Sequence, residues 1–151
     1  MATISIRPSR LEEVSVLVNF QQRLALETEN VQLDFATVEQ GIRAMFADPT
    51  KGMYFIAEVD GEVAGCHSIT YEWSDWRNGM VWWLQSVYIS EKFRKHGVFK
   101  AMFENLKRLI GNDPKLAGLR LYVDKSNLRA QHVYQAMGMN GEHYRVFELM
   151  K

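Results

Sequence analysis

The chain has 151 residues, 47% of them hydrophobic and 24% charged, and its 18 basic side chains are matched by 18 acidic ones. This length and composition are typical of one globular domain, which we expect to span residues 1–151. A net charge of zero leaves no positive field that would attract nucleic acid or an anionic membrane, so neither is expected as a partner. Any function that depends on charge must therefore be local.

The sequence carries no sign of membrane insertion or export. Its longest apolar runs, such as VWWL at 81–84, are far shorter than the roughly 20 residues that a membrane-spanning helix needs. Residues 1–10 lack the apolar stretch of a signal peptide. We therefore expect a soluble protein that is located in the cytoplasm.

The cysteine and histidine content predicts neither a disulfide nor a metal site. Cys66 is the only cysteine, so an intrachain disulfide is excluded. It lies in an alternating, strand-like segment in which the neighbouring His67 points to the opposite face, so we expect a buried and inert thiol. The four histidines are scattered without the spacing of metal ligands, and we expect no metal.

Apolar periodicity and turn residues predict an α/β chain of the α+β kind, with helices on both faces of a mixed sheet. The expected strands are at 3–8, 53–59, 62–72, 80–89, 118–123 and 143–150. The expected helices are at 11–27, 35–46, 97–110 and 127–137. The segment 80–89 is apolar at nearly every position, which is typical of a central strand covered on both faces.

Short local signals mark the ends of several elements. The dipeptides at 60–61 (Asp-Gly) and 78–79 (Asn-Gly) predict hairpin turns. Ser9 and Glu12 have the spacing of a capping box at the start of the first helix. Gly138 is expected at the position that follows the last helix.

A basic segment around Gly97 follows the predicted central strand. The helix that begins there has its apolar residues on one stripe, which fixes it against the sheet. Its first N–H groups lack acceptors within the helix, and glycine lets phosphate oxygens approach the backbone. Four basic residues add positive charge: Lys92, Arg94, Lys95 and Lys100. The segment therefore fits either an anion site or a turn glycine followed by a solvated basic face.

A second segment, thirty residues later, makes the first one more specific. Asn127 and Tyr134 are seven residues apart, two turns of a helix, so both project from the same face, and Ala130 leaves room between them. Taken alone, a capping asparagine and a core tyrosine explain this segment. Found together in a strand-helix-strand-helix order, the two segments are a much more specific signal than either segment alone.

With these two segments the sequence resembles the GNAT superfamily of acyl-CoA-dependent N-acetyltransferases over nearly its whole length. The pattern Arg/Gln-x-x-Gly-x-Gly/Ala matches residues 94–99, and the pattern Asn-x-x-Ala-x-x-x-Tyr-x-x-x-Gly matches residues 127–138. Phe99 departs from the first pattern, and its ring must turn into the apolar stripe if its N–H is to stay accessible to phosphate. The resemblance implies a mixed, mostly antiparallel central sheet of six to seven strands, flanked by about four helices.

The resemblance also implies an enzyme that uses acetyl-CoA. The implied contacts of coenzyme A are Val87, Tyr88, Ile89, Arg94, Lys95, His96, Gly97, Val98, Phe99, Lys100, Asn127 and Tyr134. An N–H of the central strand near Val87 would stabilise negative charge on the thioester oxygen. Tyr134 is implied to lie near the thioester sulfur, where a hydroxyl with an ordinary pKa of about 10 keeps a proton for the departing thiolate.

The acceptor amine and the base that takes its proton are less defined. Some relatives that acetylate polyamines have a glutamate where this chain has Gln85, which cannot take a proton, so a water relay to a carboxylate is the alternative. The catalytic candidates, beside Tyr134, are Glu72 and Glu29, and the candidates for acceptor binding are Glu27, Glu29, Trp73 and Gln85. Acidic residues on the implied acceptor side favour a cationic acceptor; they are Glu27, Glu29, Asp34, Glu72 and Asp75.

Three functions are compatible with the sequence. The first is an N-acetyltransferase that transfers an acetyl group, by direct attack in a ternary complex, to a primary amine of a small cationic or amino-acid-like molecule. The second is acetylation of a protein or peptide amine. The third is a coenzyme-A-binding or assembly module without turnover, which uses the tryptophan-rich hairpin near 73–83 as an interface. A homodimer is compatible with each of them.

Overall fold

The computed structural model describes all residues, 1–151, as two compact units, Met1–Leu121 and Tyr122–Lys151. The strands, all in the first unit, are β1 (Ile4–Pro8), β2 (Met53–Val59), β3 (Glu62–Ser74), β4 (Gly79–Ile89) and β5 (Leu116–Leu121). The helices are α1 (Val14–Glu29), α2 (Phe35–Ala47), α3 (Val98–Asn112) and, in the second unit, α4 (Leu128–Ala136). No helix has both the length and the apolar character that spanning a bilayer requires.

The five strands form one sheet in the order β1-β2-β3-β4-β5. Strands β1 to β4 pair antiparallel with their neighbours, and β5 runs parallel to β4. The mixed, mostly antiparallel sheet with four helices is therefore confirmed, with five strands where six to seven were expected. The prediction of a strand at 143–150 is wrong, because those residues form no regular structure. Their alternating pattern favours a strand, but a strand also needs a partner for its backbone hydrogen bonds.

The two predicted hairpins form, but with different turns. Asp60 and Gly61 join β2 to β3 with φ angles of 50° and 82°, as a two-residue type I′ turn requires. Residues 75–78 join β3 to β4 as a four-residue loop, in which Asn78, with a φ angle of 46°, adopts the left-handed conformation. The Asn-Gly signal thus marks the end of a longer loop.

The first helix is not capped where the sequence predicted. Glu13, rather than Glu12, accepts the N–H of Arg10 at 2.8 Å. Ser9 instead donates its own N–H to the carbonyl oxygen of Tyr54 on β2 at 2.9 Å. Because Ser9 is still paired with the sheet, the chain turns into a short 3-10 segment, Leu11–Glu13, before α1 begins.

Helices cover both faces of the sheet. Helices α1 and α2 pack against a face that carries Ile56 and Tyr88. Helix α3 packs against the opposite face, which carries Ala57 and Leu84. We call these two sides the α1 face and the α3 face. Since side chains alternate along a regular strand, residues between the bulges of β2 to β5 can be assigned to one of these faces.

Cys66 and His67 point to opposite faces, as predicted. Cys66 is fully buried under α1, and burial raises the pKa of its thiol to about 12, so the thiol is inert. His67 is fully buried on the α3 face, where its ring stacks on that of Phe55 with the centroids 4.9 Å apart. Burial lowers the pKa of His67 to about 4, so the imidazole is neutral at pH 7.

Helix α4, in the second unit, begins and ends as the sequence predicts. The side chain of Asn127 accepts the N–H of Ala130 at 3.1 Å and so caps the helix. Gly138 has a φ angle of 92° and donates its N–H to Gln135. The next N–H donates to the carbonyl oxygen of Tyr134 at 3.0 Å. This pair of bonds is the Schellman motif, which glycine accommodates without strain.

Candidate active site

A bulge interrupts β4 at Ser86. Cys66 of β3 pairs with Tyr88 and Ser68 pairs with Gln85, so β4 has one residue more than β3 between these two pairs. Ser86 has a φ angle of 54°, in the left-handed region that residues other than glycine rarely adopt. Such a bulge bends its strand and leaves the extra residue unpaired. It therefore changes the direction of the backbone in the middle of the sheet.

Beyond the bulge, β4 has an open side. Its parallel pairing with β5 ends at Leu84, so Gln85, Tyr88 and Ile89 pair with β3 alone. Ser90 donates its N–H to β3 at 2.8 Å, and backbone groups alternate along a strand, so the N–H groups of Val87 and Ile89 point away from β3. This slot presents backbone donors in the way that lets an extended ligand add a strand to a sheet.

Gly65 on β3 makes room for the bulged strand. A Cβ atom at Gly65 would lie 2.2 Å from the carbonyl oxygen of Tyr88 and 3.1 Å from the Cα of Ile89. Only glycine allows the two backbones to come this close. Gly65 was not among the predicted site residues, although a glycine inside a strand is a recognised sign of a bulge or of close backbone approach.

The Gly65→Ala variant is expected to lose about 1–3 kcal/mol of unfolding free energy, because the new methyl group forces β3 and β4 apart at the bulge. Urea denaturation measures this loss. The matched control is Gly41→Ala in α2, where a Cβ meets no atom within 4 Å. Alanine favours a helix, so the control should gain up to about 1 kcal/mol. A Gly65→Ala protein as stable as the wild type would contradict the close approach.

A left-handed turn carries β4 into α3. Lys95 has a φ angle of 65° and Gly97 one of 84°. A Cβ atom at Gly97 would meet nothing within 4 Å, so the space over the turn is open. The N–H groups of Val98 and Lys100 belong to the first turn of α3, where a helix has no acceptor for them. Three exposed side chains surround the turn: Lys95, His96 and Lys100. The turn therefore fits a phosphate group.

The ring of Phe99 turns into the core, as the resemblance to GNAT proteins required. It packs on the α3 face against the clusters that contain Met102 and Leu106. Its centroid lies 6.5 Å from that of Phe103. Although the first pattern has Gly or Ala at this position, the Phe99 ring therefore does not cover the solvent side of the turn.

Three hydrogen-bonded side chains join α1, β4 and the turn. Glu27 accepts hydrogen bonds from the Tyr88 hydroxyl at 2.8 Å and from Nη2 of Arg94 at 2.6 Å. Arg94 also donates from Nε to the carbonyl oxygen of Ile89 at 2.8 Å. Arg94, and after it Tyr88, hold the pKa of the Glu27 carboxyl below its ordinary value. Arg94 therefore links the end of β4 to α1, and Glu27 balances its charge.

Glu72 belongs to a polar group on the α1 face of β3, β4 and β5. It accepts hydrogen bonds from Nε1 of Trp83 at 2.8 Å and from Nη1 of Arg120 at 3.0 and 3.1 Å. These partners, Trp83 first, lower the pKa of the Glu72 carboxyl. Beside them, Gln85 donates from Nε2 to the Thr70 hydroxyl at 2.6 Å. We call these five residues the Glu72 group. Arg120 was not predicted, since nothing local in the sequence links it to Glu72.

The other predicted acceptor contacts are arranged differently. Trp73 follows Tyr71 on the α3 face by two residues, so it faces away from Glu72 and Gln85, and it is 58% exposed. Glu29 is the last residue of α1 and is exposed. The structure therefore places Glu72 and Gln85 on one face and Trp73 on the other.

Two of the acidic residues that favoured a cationic acceptor cap the backbone. Asp34 accepts hydrogen bonds from the N–H and the hydroxyl of Thr37 at 2.9 and 2.7 Å, at the start of α2. Asp75 accepts the N–H of Trp76 at 2.9 Å in the β3–β4 loop. Both carboxylates therefore stabilise the local backbone, Asp34 at the start of a helix and Asp75 in a loop.

The second unit carries the residues of the second motif. Asn127 uses its side-chain oxygen to cap α4, which fixes the direction of its amide NH₂ group. Tyr134 is half-buried, and burial raises the pKa of its hydroxyl above the ordinary value of 10. The Tyr134 hydroxyl therefore keeps its proton at neutral pH.

Comparison with known proteins decides the family. The sequence model of the Acetyltransferase (GNAT) family matches residues 16–139, a range that contains the bulge, the turn and both motifs. The chain belongs to the GNAT acetyltransferase family. Its mixed sheet, with the slot beside β4, is thus that of a GNAT protein. No curated protein matches the chain.

Solved GNAT structures share the fold over nearly the full length. A possible acetyltransferase from Clostridium difficile 630 is 36% identical, with a TM-score of 0.92 over 98% of this chain and 97% of that one. A predicted acetyltransferase from Clostridium acetobutylicum, solved with acetyl-CoA, is 15% identical, with a TM-score of 0.75 over 97% and 96%. Glucosamine-6-phosphate N-acetyltransferase from Arabidopsis thaliana is 16% identical, with a TM-score of 0.72 over 99% of both chains. The last two are similar in fold alone.

As a GNAT acetyltransferase, the chain is a transferase of a family that uses acetyl-CoA. Two parts of the structure fit this coenzyme. The slot along residues 87–89 fits an extended arm that pairs with a strand, and the turn at Gly97 fits a pyrophosphate that needs backbone donors and positive charge.

Proposed function

We propose that this GNAT protein transfers an acetyl group from acetyl-CoA to a primary amine of a small molecule, by direct attack in a ternary complex. The observation that carries the proposal is the course of β4, which bulges at Ser86, offers its backbone along 87–89 and leads into the turn at Gly97. We propose residues 1–151 as one catalytic domain. The family match supports this, because it runs across the boundary of the two compact units.

The backbone does most of the coenzyme binding in this proposal. The N–H groups of residues 95–100 bind the pyrophosphate, and Lys95 and Lys100 add charge. Val87 and Ile89 pair with the pantetheine arm, and the Asn127 amide donates to it. When bound, acetyl-CoA supplies the thioester carbonyl and the thiolate that leaves. The geometry of β4 and of the turn supports the assignments within residues 87–100, and the match to the second motif supports that of Asn127.

Groups of the chain then assist the transfer at two points. Attack of the amine nitrogen on the carbonyl carbon would place negative charge on the carbonyl oxygen, and the carbon–sulfur bond would break as that charge returns to the carbonyl. An N–H near Val87 stabilises the negative charge on the oxygen, since a fixed donor needs no reorganisation. Tyr134 gives its proton to the sulfur, whose thiol has an ordinary pKa of about 8.5. The raised pKa of the Tyr134 hydroxyl keeps it protonated at neutral pH, so that a donor is present beside the sulfur in this proposal.

We propose Glu29, acting through a water molecule, as the base that takes the amine proton. Glu27 and Glu72 are each paired with an arginine, which makes their carboxylates weaker bases. Glu29→Gln is expected to lower kcat/KM about 10²-fold and to leave coenzyme affinity unchanged. Glu12→Gln, at an exposed carboxylate of the first turn, is the control. Loss of activity in Glu72→Gln but not in Glu29→Gln would give the role to Glu72.

Exposed tryptophans favour one second candidate, a coenzyme-A-binding module that docks another protein. Trp73 and Trp76 are 58% and 92% exposed near the end of the β3–β4 hairpin. Large exposed aromatic side chains of this kind are typical of protein interfaces. The module would bind coenzyme A but release no thiol with any amine or peptide. The same comparison of amines with peptides tests for peptide acetylation. In that case peptides would be turned over faster than small amines.

The coenzyme part of the proposal is tested by thermal unfolding. A ligand that binds only the folded state raises Tm by an amount that grows with its concentration. Coenzyme A should therefore raise Tm progressively. The absence of any shift at concentrations well above a micromolar Kd would contradict binding, whatever the acceptor.

A further inference from the structure

We propose that Glu27 strengthens the binding of coenzyme A through Arg94, although Glu27 and the coenzyme are both negatively charged. In this assignment Arg94 is a positioning residue, which fixes the backbone donors of the slot and of the turn and does not itself bind phosphate. The inference rests on the coenzyme site proposed above and adds two residues that act on it without contacting the coenzyme. Its basis is the set of hydrogen bonds that join α1, β4 and the turn.

The side chain of Arg94 joins the two parts of the proposed coenzyme site. The N–H and the carbonyl of one strand residue point the same way, so the carbonyl of Ile89 lies on the open side of β4, as its N–H does. Nε of Arg94 donates to this carbonyl oxygen at 2.8 Å. Ile89 is the last residue of β4, and Arg94 directly precedes Lys95, which has the first left-handed φ angle of the turn. The bond therefore fixes the slot and the turn relative to each other.

Glu27 sets the direction of the guanidinium. Its carboxylate accepts a hydrogen bond from Nη2 of Arg94 at 2.6 Å and another from the Tyr88 hydroxyl at 2.8 Å. The guanidinium carbon also lies 5.5 Å from the centroid of the Tyr88 ring, a cation–π contact. Helix α1, which carries Glu27, is packed on the sheet through fully buried side chains such as Leu17. The core thus holds the carboxylate, and the carboxylate holds the arginine.

The same contacts disfavour a direct role of Arg94 at the pyrophosphate. A guanidinium that is paired with a carboxylate presents little net charge to an anion. Its Nε and Nη2 each already donate to an acceptor within the protein. Lys95 and Lys100 are exposed at the same turn and supply the positive charge in the coenzyme site proposed above. The contribution of Arg94 is therefore the position of the backbone rather than charge.

The two possible roles of Arg94 predict opposite effects of the Glu27→Gln substitution. If Arg94 bound phosphate by its charge, loss of the carboxylate would release that charge and strengthen coenzyme binding. If Arg94 positions the backbone, the guanidinium loses its support and binding weakens. Isothermal titration calorimetry with coenzyme A measures the difference. We expect Kd to rise about three- to fivefold, the range that corresponds to a half-exposed ion pair.

Variants of Arg94 separate position from charge. Arg94→Lys keeps the positive charge but lacks the planar fork that reaches Ile89 and Glu27 together, so it should bind coenzyme A as weakly as Arg94→Gln does. Because the two residues act as a unit, the double variant Glu27→Gln/Arg94→Gln should lose no more affinity than Arg94→Gln alone. The matched control is Glu39→Gln, which removes the carboxylate that pairs with Arg43 at 3.1 Å on α2 and should leave Kd unchanged.

Thermal unfolding of each variant shows that the protein titrated is folded, so a change in Kd is not a loss of global stability. If Glu27→Gln does not fold, Glu27→Asp keeps the charge on a shorter side chain and should weaken binding in the same way. Unchanged or tighter binding in the Glu27 variant would overturn the proposal, and so would Arg94→Lys binding like the wild type. Failure of the wild-type protein to bind coenzyme A would instead refute the proposed coenzyme site itself.

Discussion

Replacement of Tyr134 by phenylalanine is expected to lower kcat by a factor of about 10² to 10⁴, the usual contribution of a positioned acid. The substitution removes only the hydroxyl, so coenzyme A should bind with nearly unchanged affinity. Burial raises the pKa of this hydroxyl above 10, so the group stays protonated and donates throughout pH 6 to 9 in the wild type. The loss in the variant should therefore be similar at each pH of that range.

Tyr144→Phe is the control for this experiment, because Tyr144 is a tyrosine of the same compact unit and is 82% exposed. It should leave kcat unchanged. Steady-state kinetics and a coenzyme titration on the three proteins give the comparison. Wild-type turnover in Tyr134→Phe would remove this residue as the acid, and a large loss of coenzyme affinity would make it a binding residue instead.

Gly97→Val is expected to weaken coenzyme A binding about tenfold or more. A β-branched residue is strongly disfavoured at a φ angle of 84°, so the turn must rotate and carry its N–H groups out of position. The new side chain also enters the open space through which a phosphate reaches the backbone. Isothermal titration calorimetry with coenzyme A measures the change in Kd.

Gly61→Val provides a closely matched control. Gly61 has a φ angle of 82°, and a Cβ there would also meet nothing within 4 Å, but it lies in the β2–β3 turn. Both variants should lose similar stability, about 1–2 kcal/mol, because the backbone strain is the same. Only Gly97→Val should lose coenzyme affinity. Equal affinities in the two variants would show that the turn at Gly97 does not bind the coenzyme.

Local patterns were enough to place most helices and strands. Alternation predicted 53–59 for β2, which spans Met53–Val59, and helical periodicity predicted 35–46 for α2, which spans Phe35–Ala47. The apolar stripe of α3 also offered a place for the Phe99 ring, which packs there in the structure. These features depend on residues within a few turns or one strand, whose spacing the sequence displays directly.

Features made by distant residues were not predictable in the same way. The bulge at Ser86 depends on close approach to Gly65 of the neighbouring strand, and periodicity does not reveal which residues face each other. Glu27 and Arg94 are 67 positions apart, and Glu72 and Arg120 are 48 apart. The sequence therefore displayed the carboxylates but not the arginines that pair with two of them. For the same reason, alternation at 143–150 predicted a strand without showing whether a partner strand exists.

One measurement tests amine acetylation most directly. The protein is mixed with acetyl-CoA and a panel of amino acids, small amines and peptides. Both free thiol and acetylated product are then quantified, the product by mass spectrometry. We expect at least one small amine to gain one acetyl group in an amount equal to the thiol released, and the Tyr134→Phe protein to form far less. Thermal stabilisation by coenzyme A with no acetylated product from any acceptor would contradict acetyltransferase activity. It would support the coenzyme-binding module instead.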